Sequence, residues 1–349
     1  MNTKTLLITG VAGFIGSNFV RTVMKQGYKV IGLDALTYAG NRENLENLPP
    51  NGSFELVVGN IKDSKLVREL LAKHKPSAVL NFAAESHVDR SIEGPQIFVE
   101  TNVLGTAILT HESLQYWKSL KADEQKKFRF LQVSTDEVYG SLGDTGKFSE
   151  KTPLDPSSPY SAAKTGGDLL VHAWNHTYGL PTLITRCSNN YGPYQYPEKL
   201  IPTMIQCALS GKNLPVYGQG KNIRDWIHVQ DHCDGILLAL EKGTPGGQYC
   251  FGGNAERKNI DVVKLICETL DAVSPRKDGQ NYSKQISYVA DRLGHDFRYA
   301  IDDSFAKKEL GFRQNFSFES GLKETIRWYL DNQTWCEAVL KHAKKAQGV

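Results

Sequence analysis

The chain has 349 residues, of which 40% are hydrophobic and 23% charged, a balance ordinary for a globular protein with a sizeable buried core. Its 41 basic and 38 acidic residues leave a formal net charge of +3, which carries no polyanion-binding signature, so no nucleic-acid partner is expected. Cys187, Cys207, Cys233, Cys250, Cys267 and Cys336 form no CxxC pair, so no metal site is expected and they read as reduced thiols of a cytoplasmic protein; no apolar run approaches the ~20 residues of a membrane span, so no membrane partner is expected.

Along the chain, Thr5 to Thr9 reads as a buried strand, too short for a signal peptide. Ile15, Phe19, Val20, Val23 and Met24 then recur at helical spacing. Lys29 to Leu33, Phe54 to Val58, Ala78 to Phe82, Phe128 to Val133 and Pro181 to Thr185 read as further strands. Between them, Asp63 caps a helix that turns Leu66, Val67, Leu70 and Leu71 inward. Longer helices are expected over about Pro95–Trp117 and Tyr160–Tyr178. Strands alternating with helices predict an α/β fold, a doubly wound parallel sheet of the Rossmann type. Beyond about Asn189 the regularity weakens, and glycine and proline punctuate Tyr191–Pro202 and Leu214–Gly220. Residues 1–188 are therefore read as a dinucleotide-binding domain, to which about 222–250 return. Residues 189–349 are read as a smaller, mixed region mainly for substrate.

Thr9-Gly10-Val11-Ala12-Gly13-Phe14-Ile15-Gly16 lies between the first strand and the first helix. Gly10 permits a tight turn, Gly13 lets a pyrophosphate approach, and Gly16 lets the helix pack close; a bare turn with no ligand is the alternative. The GxxGxxG spacing resembles that of the extended short-chain dehydrogenase/reductases. Asp34, after the second strand, suits the adenosine ribose hydroxyls and repels a 2′-phosphate, which favours NAD over NADP unless it only caps a loop or nearby Arg42 blunts the effect. Ala35, Leu36 and Thr37 follow it. Asn60-Ile61 and Phe82-Ala83-Ala84 stand at strand ends, the edge where such sheets bind ligands. Phe14, Ile15, Ser86, Thr101 and Asn190 complete the expected cofactor contacts.

Tyr160 and Lys164 share a helix face after the breaker Pro156-Ser157-Ser158-Pro159. The ammonium is expected to lower the tyrosine pKa, so that the phenol serves as a base, and to hold the nicotinamide ribose. Thr135, leaving the fifth strand, suits a reacting sugar oxygen. Asp136 and Glu137 follow it. Two carboxyls so close resist ionising together, so one is expected to stay protonated as an acid while the other serves as base. In an ordinary loop they would be solvated charges or helix caps.

Ser134-Thr135-Asp136-Glu137-Val138-Tyr139-Gly140 resembles the signature of the nucleotide-sugar 4,6-dehydratases, the dTDP-glucose branch in particular. So do Ala83–Ser91 (AAESHVDRS), Ser188–Pro193 (SNNYGP), Pro197–Pro202 (PEKLIP), Ile223–Trp226 (IRDW) and Asp291–Asp296 (DRLGHD). The resemblance implies oxidation at C4 of a nucleotide-diphosphate glucose, loss of water across C5 and C6, and return of hydride to C6. Tyr160 is the implied base at C4, Glu137 the base at C5 and Asp136 the acid at C6. Substrate contacts transfer onto Ser86, His87, Thr135, Asn189, Glu198, Lys199, Leu200, Arg224, Asn259, Arg292 and His295, with Pro215 and Tyr217 flanking a base. Glu198 and Lys199 would otherwise be a surface pair, Leu200 packing, His87 a structural histidine, and Pro215 and Tyr217 parts of a turn. A homodimer pairing two helices from each subunit is implied, and Leu169, Leu170, Ala173 and Trp174 cover enough of one helix to allow it. Leu293 stands where the family usually has proline, and the 140–156 segment is short, which leaves thymine against uracil open. A 4-epimerase would need Tyr160 and Lys164 but no acid–base pair; an NAD sensor would need neither.

Overall fold

The computed structural model describes residues 4–291 and 295–346, so the expectations placed on Arg292 and Leu293 lie outside the described residues. The strands are β1 (Thr5–Thr9), β2 (Lys29–Asp34), β3 (Ser53–Val58), β4 (Ala78–Asn81), β5 (Arg129–Val133), β6 (Thr182–Cys187), β7 (Asn189–Tyr191), β8 (Leu214–Tyr217), β9 (Ile223–His228), β10 (Gln248–Phe251), β11 (Glu256–Lys258) and β12 (Ile286–Val289). Seven of them form one parallel sheet in the order β10-β6-β5-β4-β1-β2-β3.

The period of two along each strand explains why this sheet is covered on both sides. In β1, Leu6 and Ile8 pack on one face with Phe19, Val20 and Val23 of the helix Phe14–Lys25 and Ile236 of the helix Val229–Lys242. Leu7, between them, packs on the other face with Val67, Leu109, Leu114 and Val171. The fold is thus α/β and of the Rossmann type. The strand order reverses between β1 and β4, and the crevice outside their carboxyl ends is where an open α/β sheet takes its ligand. A polar ladder floors that crevice: Thr9 Oγ1 donates to Asn81 Oδ1 (2.6 Å), and Asn81 Nδ2 donates to Gln132 Oε1 (2.9 Å). Three adjacent strands therefore end in register.

Later residues build a mixed sheet, with β9 antiparallel to β11 and parallel to β7, and a parallel pair β8–β12. Tyr191, Ile205, Trp226, Val262, Ile266, Leu322 and Tyr329 make a second apolar cluster around them.

The sequence expects one regular helix over about Pro95–Trp117. The backbone instead runs as Gln96–Phe98, a π-helical stretch Val99–Gly105, and Thr106–Ser119. Two side-chain facts account for the widened turn. A Cβ on Gly105 would stand 2.7 Å from Ile61 Cδ1, so the helix closely approaches the loop after β3 there. Asn102 bonds both the N–H and the C=O of Glu85, at 2.9 and 3.0 Å, which binds this segment to the loop after β4. Strand β6 also runs two residues further than expected and so buries Arg186. Its guanidinium meets Asp168 of the helix Pro159–Tyr178 at 2.9 Å and donates to Tyr139 Oη (3.0 Å) and Gln248 Oε1 (2.6 Å).

Both partners of that pair are almost fully buried, so removing the carboxylate strands a cation in a dry site. Asp168→Ala is expected to cost about 3–5 kcal/mol of stability. Urea denaturation checks it, and a loss under about 1 kcal/mol would mean that Tyr139 and Gln248 suffice to hold the arginine.

Candidate active site

At the end of β1, Gly10 takes a φ of +69°, and a Cβ there would lie 2.6 Å from the Ala83 nitrogen. A Cβ on Gly16 would lie 2.1 Å from the Gly10 oxygen. These two positions admit no side chain, and their closeness draws the loop onto the loop after β4. Gly13 differs: its added Cβ would meet only the Gly10 oxygen, at 3.3 Å, so its other side is open. The helix Phe14–Lys25 begins here without a side-chain cap. An open glycine flank and uncapped N–H groups at a helix N-terminus fit a pyrophosphate.

Asp34, buried at the end of β2, accepts the N–H groups of Ala12 and Leu36, each at 2.8 Å. Burial raises its pKa and those two bonds pull it back. Leu36 sits in the left-handed region, φ 51°, which turns its N–H onto the carboxylate.

One cleft of about 350 Å³ joins this cradle to the carboxyl ends of β4 and β5. It is lined by Gly10, Gly13, Phe14, Ile15, Gly16, Asp34, Ala35, Thr37, Asn60, Ile61, Phe82, Ala83, Ala84, Ser86, Thr101, Tyr160, Lys164 and Asn190. Leu36 is not in the wall; its part is the bond to Asp34.

The far end of the cleft carries Thr135, Asp136 and Glu137. Thr135 caps the short turn Asp136–Tyr139, its hydroxyl accepting the Glu137 N–H at 3.3 Å and donating to Asp136 Oδ1 at 3.3 Å. The helix Pro159–Tyr178 starts on a reciprocal Ser158–Ser161 cap with Pro159 in its first turn, which sets Tyr160 and Lys164 against that turn. Asp136 is 2% exposed, and its Oδ2 has no hydrogen-bond partner among the described residues. Burial, then the charges of Glu137 and Asp225, hold its pKa well above the usual carboxylate range against the pull of Arg224. The protonated form is thereby favoured.

Tyr160 departs from the sequence expectation. Burial first, and Glu137 next, push the phenol well above its ordinary pKa, and its hydrogen bond with Thr135 only partly offsets them. Lys164 is itself buried, which lowers its pKa, and its Nζ donates to the Val133 carbonyl at 2.8 Å. The protein alone therefore does not lower the tyrosine pKa. Its ammonium is directed at the main chain, and desolvation outweighs it.

Of the expected substrate residues, Ser86, Thr135, Asn189, Glu198 and Lys199 line the same cleft. Lys199 Nζ donates to the Ser86 carbonyl (3.1 Å), Tyr38 Oη donates to Glu198 Oε1 (3.3 Å), and His87 Nε2 lies 3.7 Å from Glu198 Oε2. Glu198 and Lys199 are thus tied into the cleft wall and are not a solvated pair. His87 also caps the helix Val88–Glu93 through Nδ1. Leu200 packs against the second apolar cluster.

Arg224 corrects another expectation. It is buried, donates to the carbonyls of Ile223 (2.8 Å) and Asp296 (2.9 Å), and lies over the Tyr299 ring. In this conformation Nη1 and Nη2 both donate to main chain, and the side chain acts on the cleft through its field at Asp136. Pro215, Tyr217, Asn259 and His295 also lie outside the cleft wall. Tyr217 stacks edge-on with His295, which bonds Asp291 at 2.7 Å, and the buried Asn259 Oδ1 has no partner among the described residues.

The cleft also contains Glu85, Cys187, Gln195 and Tyr196, which sequence reasoning passed over. Glu85 did carry a signal, as a charge directly after two alanines at a strand end. Gln195 and Tyr196 carried none, since only folding brings their loop to β1 and β4.

The profile of the GDP-mannose 4,6 dehydratase family matches residues 7–325. A dTDP-glucose 4,6-dehydratase of Xanthomonas campestris pv. campestris is 57% identical over 336 residues, covering 96% of each chain. One of Escherichia coli is 49% identical over 347 residues, again covering 96% of each. Among solved structures, the dTDP-glucose 4,6-dehydratase DesIV from Streptomyces venezuelae, with NAD and TYD bound, superposes with a TM-score of 0.86 at 45% identity, covering 96% of this chain and 99% of that one. With such identity over 96% of its length, the chain belongs to the dTDP-glucose 4,6-dehydratases, within the wider GDP-mannose 4,6 dehydratase family.

Proposed function

We propose that this chain converts dTDP-glucose to dTDP-4-keto-6-deoxyglucose and water, with NAD as its resident cofactor. The observation that carries this reading is the buried Asp136, held toward its protonated form beside Glu137, within the field and hydrogen-bond reach of the Tyr160–Thr135 pair. An oxidoreductase site has no use for that acid–base pair unless a proton and a hydroxyl must also leave the sugar.

The cradle from Gly10 to Gly16 holds the cofactor phosphates, Asp34 takes the adenosine ribose, and Tyr160 and Lys164 stand at the nicotinamide end. NAD so held would supply a hydride acceptor and donor and a positive ring charge. The phenol, raised by burial and by Glu137, becomes a usable base only against such a charge. Tyr160 then takes the proton of the C4 hydroxyl while Thr135 holds that oxygen. The C4 ketone makes the C5 proton acidic. Glu137 removes it, Asp136 donates its proton to the departing C6 hydroxyl, and water leaves. Glu137, whose newly gained proton exchanges with water, returns one proton to C5 when C6 is reduced, and Asp136 regains its own from solvent.

Asn189 and Lys199 hold the diphosphate, Glu198 accepts from hydroxyls of the hexose, and the separate group at Pro215, Tyr217, Asn259 and His295 holds the base. The names of the relatives favour thymine over uracil. A 4-epimerase reading leaves Asp136 and Glu137 without work.

We also infer a homodimer. Ile97 just before the π-helical stretch, Val99 and Leu104 within it, and Leu169 and Tyr178 on the helix Pro159–Tyr178 are exposed, and the two segments pack side by side. A second copy presenting the same two helices covers this apolar face. Six free thiols suit the reducing cytoplasm.

Purified protein given dTDP-glucose in D₂O without added reductant is expected to yield a 4-keto-6-deoxy product with deuterium at C5 by NMR. Conversion of UDP-glucose alone would change the base, and conversion of neither would remove the reading. Glu137→Gln is expected to slow elimination about 10²–10⁴-fold while 340 nm absorbance accumulates, and Tyr160→Phe to lose that absorbance as well. Normal dehydration in the first variant would give the C5 step to another base. Val99→Glu with Leu169→Glu is expected to give a monomer by sedimentation; an unchanged mass would place the interface elsewhere.

A further inference from the structure

Glu85 stands in the cleft and has no part in the chemistry above. It follows Ala83 and Ala84 at the carboxyl edge of β4 and is 6% exposed. Its main chain is fixed on both sides by the Asn102 amide, which the π-helical stretch presents to it. The rigidity of its backbone contrasts with its side chain. The Oε2 atom is buried and has no hydrogen-bond partner among the described residues. A buried carboxyl oxygen left without a partner is rare in a folded protein and calls for an atom that arrives later.

The surroundings limit what that atom is. Arg90 from the helix Val88–Glu93, Tyr38 from the loop after β2 and Glu198 from the loop before the helix Leu200–Leu209 all act electrostatically within this cluster. Burial favours the protonated carboxyl, with Arg90 opposing it. A phosphate would meet two acidic side chains here and is disfavoured. An apolar group would leave Oε2 unpaired. A protonated carboxyl is donor and acceptor at once, which matches a hydroxyl. The position, between the loop after Thr37 on the cofactor side and Glu198 on the substrate side, is open to a hydroxyl on either bound sugar ring.

We propose that Glu85 is a further binding residue of this site, which holds a ring hydroxyl of the bound sugar, cofactor ribose or substrate hexose, by a two-way hydrogen bond. The hexose alternative rests on the dehydratase reading; the ribose alternative needs only a bound dinucleotide. Glu85→Gln keeps a donor and an acceptor on the same two atoms, Glu85→Ala removes both, and Glu85→Leu removes both while keeping the volume. The quantities to measure on the holoenzyme are the rate of NAD loss, and KM and kcat for dTDP-glucose at saturating NAD.

In the Ala and Leu variants, either NAD loss about tenfold faster or KM about tenfold higher is expected, with kcat within about twofold of the parent. The first result assigns the ribose and the second the hexose. Glu85→Gln is expected within about threefold of the parent in both quantities. The proposal falls if NAD loss and KM are both unchanged in the Leu variant, or if Gln is as defective as Leu. Thermal melting within a few degrees of the parent separates lost binding from lost folding, and the Leu variant stands in where Ala fails to fold. A parent protein that retains NAD but turns over no nucleotide sugar would fault the dehydratase reading, and the NAD measurement would still decide whether Glu85 holds a ribose.

Discussion

The close approach of two loops at the carboxyl edge of the sheet is the constraint on which the site depends. The Gly10–Gly16 turn lies against the backbone of Ala83, at a distance that excludes a Cβ on Gly10. This contact exists because β1 lies next to β4 at the point where the strand order reverses. The ladder from Thr9 through Asn81 to Gln132 levels the strand ends, so that everything beyond them opens into one cleft. The cradle, the Thr135–Glu137 turn and the loop that carries Glu85 are consequences of that one edge.

Burial supplies the polarity of the site. The pKa values of Asp136 and Tyr160 are raised and that of Lys164 is lowered, because each has lost most of its water. A set of groups so poised waits for charge and hydroxyls to arrive with ligands. Oxygens of Asp136 and Glu85 are among the buried polar atoms that have no hydrogen-bond partner among the described residues. The rest of the chain stabilises this arrangement: the Asp168–Arg186 pair fixes the helix that carries Tyr160 and Lys164, and the Ser158 cap sets where that helix begins.

The irregular stretch at Val99–Gly105 links the two requirements of the region. Toward the sheet, Asn102 binds the main chain of Glu85 and Gly105 lets Ile61 close in. Away from the sheet, Val99 and Leu104 remain exposed beside Leu169. One segment thus shapes the cleft wall and offers an apolar face outward.

The cradle, the strands and the Tyr160–Lys164 and Asp136–Glu137 pairs were legible from sequence alone. Each is a local pattern: glycines at a strand–helix turn, apolar residues at a period of two or 3.6, two side chains four residues apart on a helix. The π-helical turn was not legible, because it answers to Ile61 and Glu85, which are distant in sequence. The direction of the Tyr160 pKa was misread for the same reason: a lysine one helical turn away was visible, but the burial that outweighs it was not. The resemblance implies that Arg224 touches substrate, but its bond to the Asp296 carbonyl and its place over the Tyr299 ring were not legible in the sequence. Spacing thus determined which groups are present and the local elements that carry them. Only the tertiary structure decided how dry each group is and which of its hydrogen bonds are already made, since desolvation and pairing depend on atoms that the chain brings together from afar.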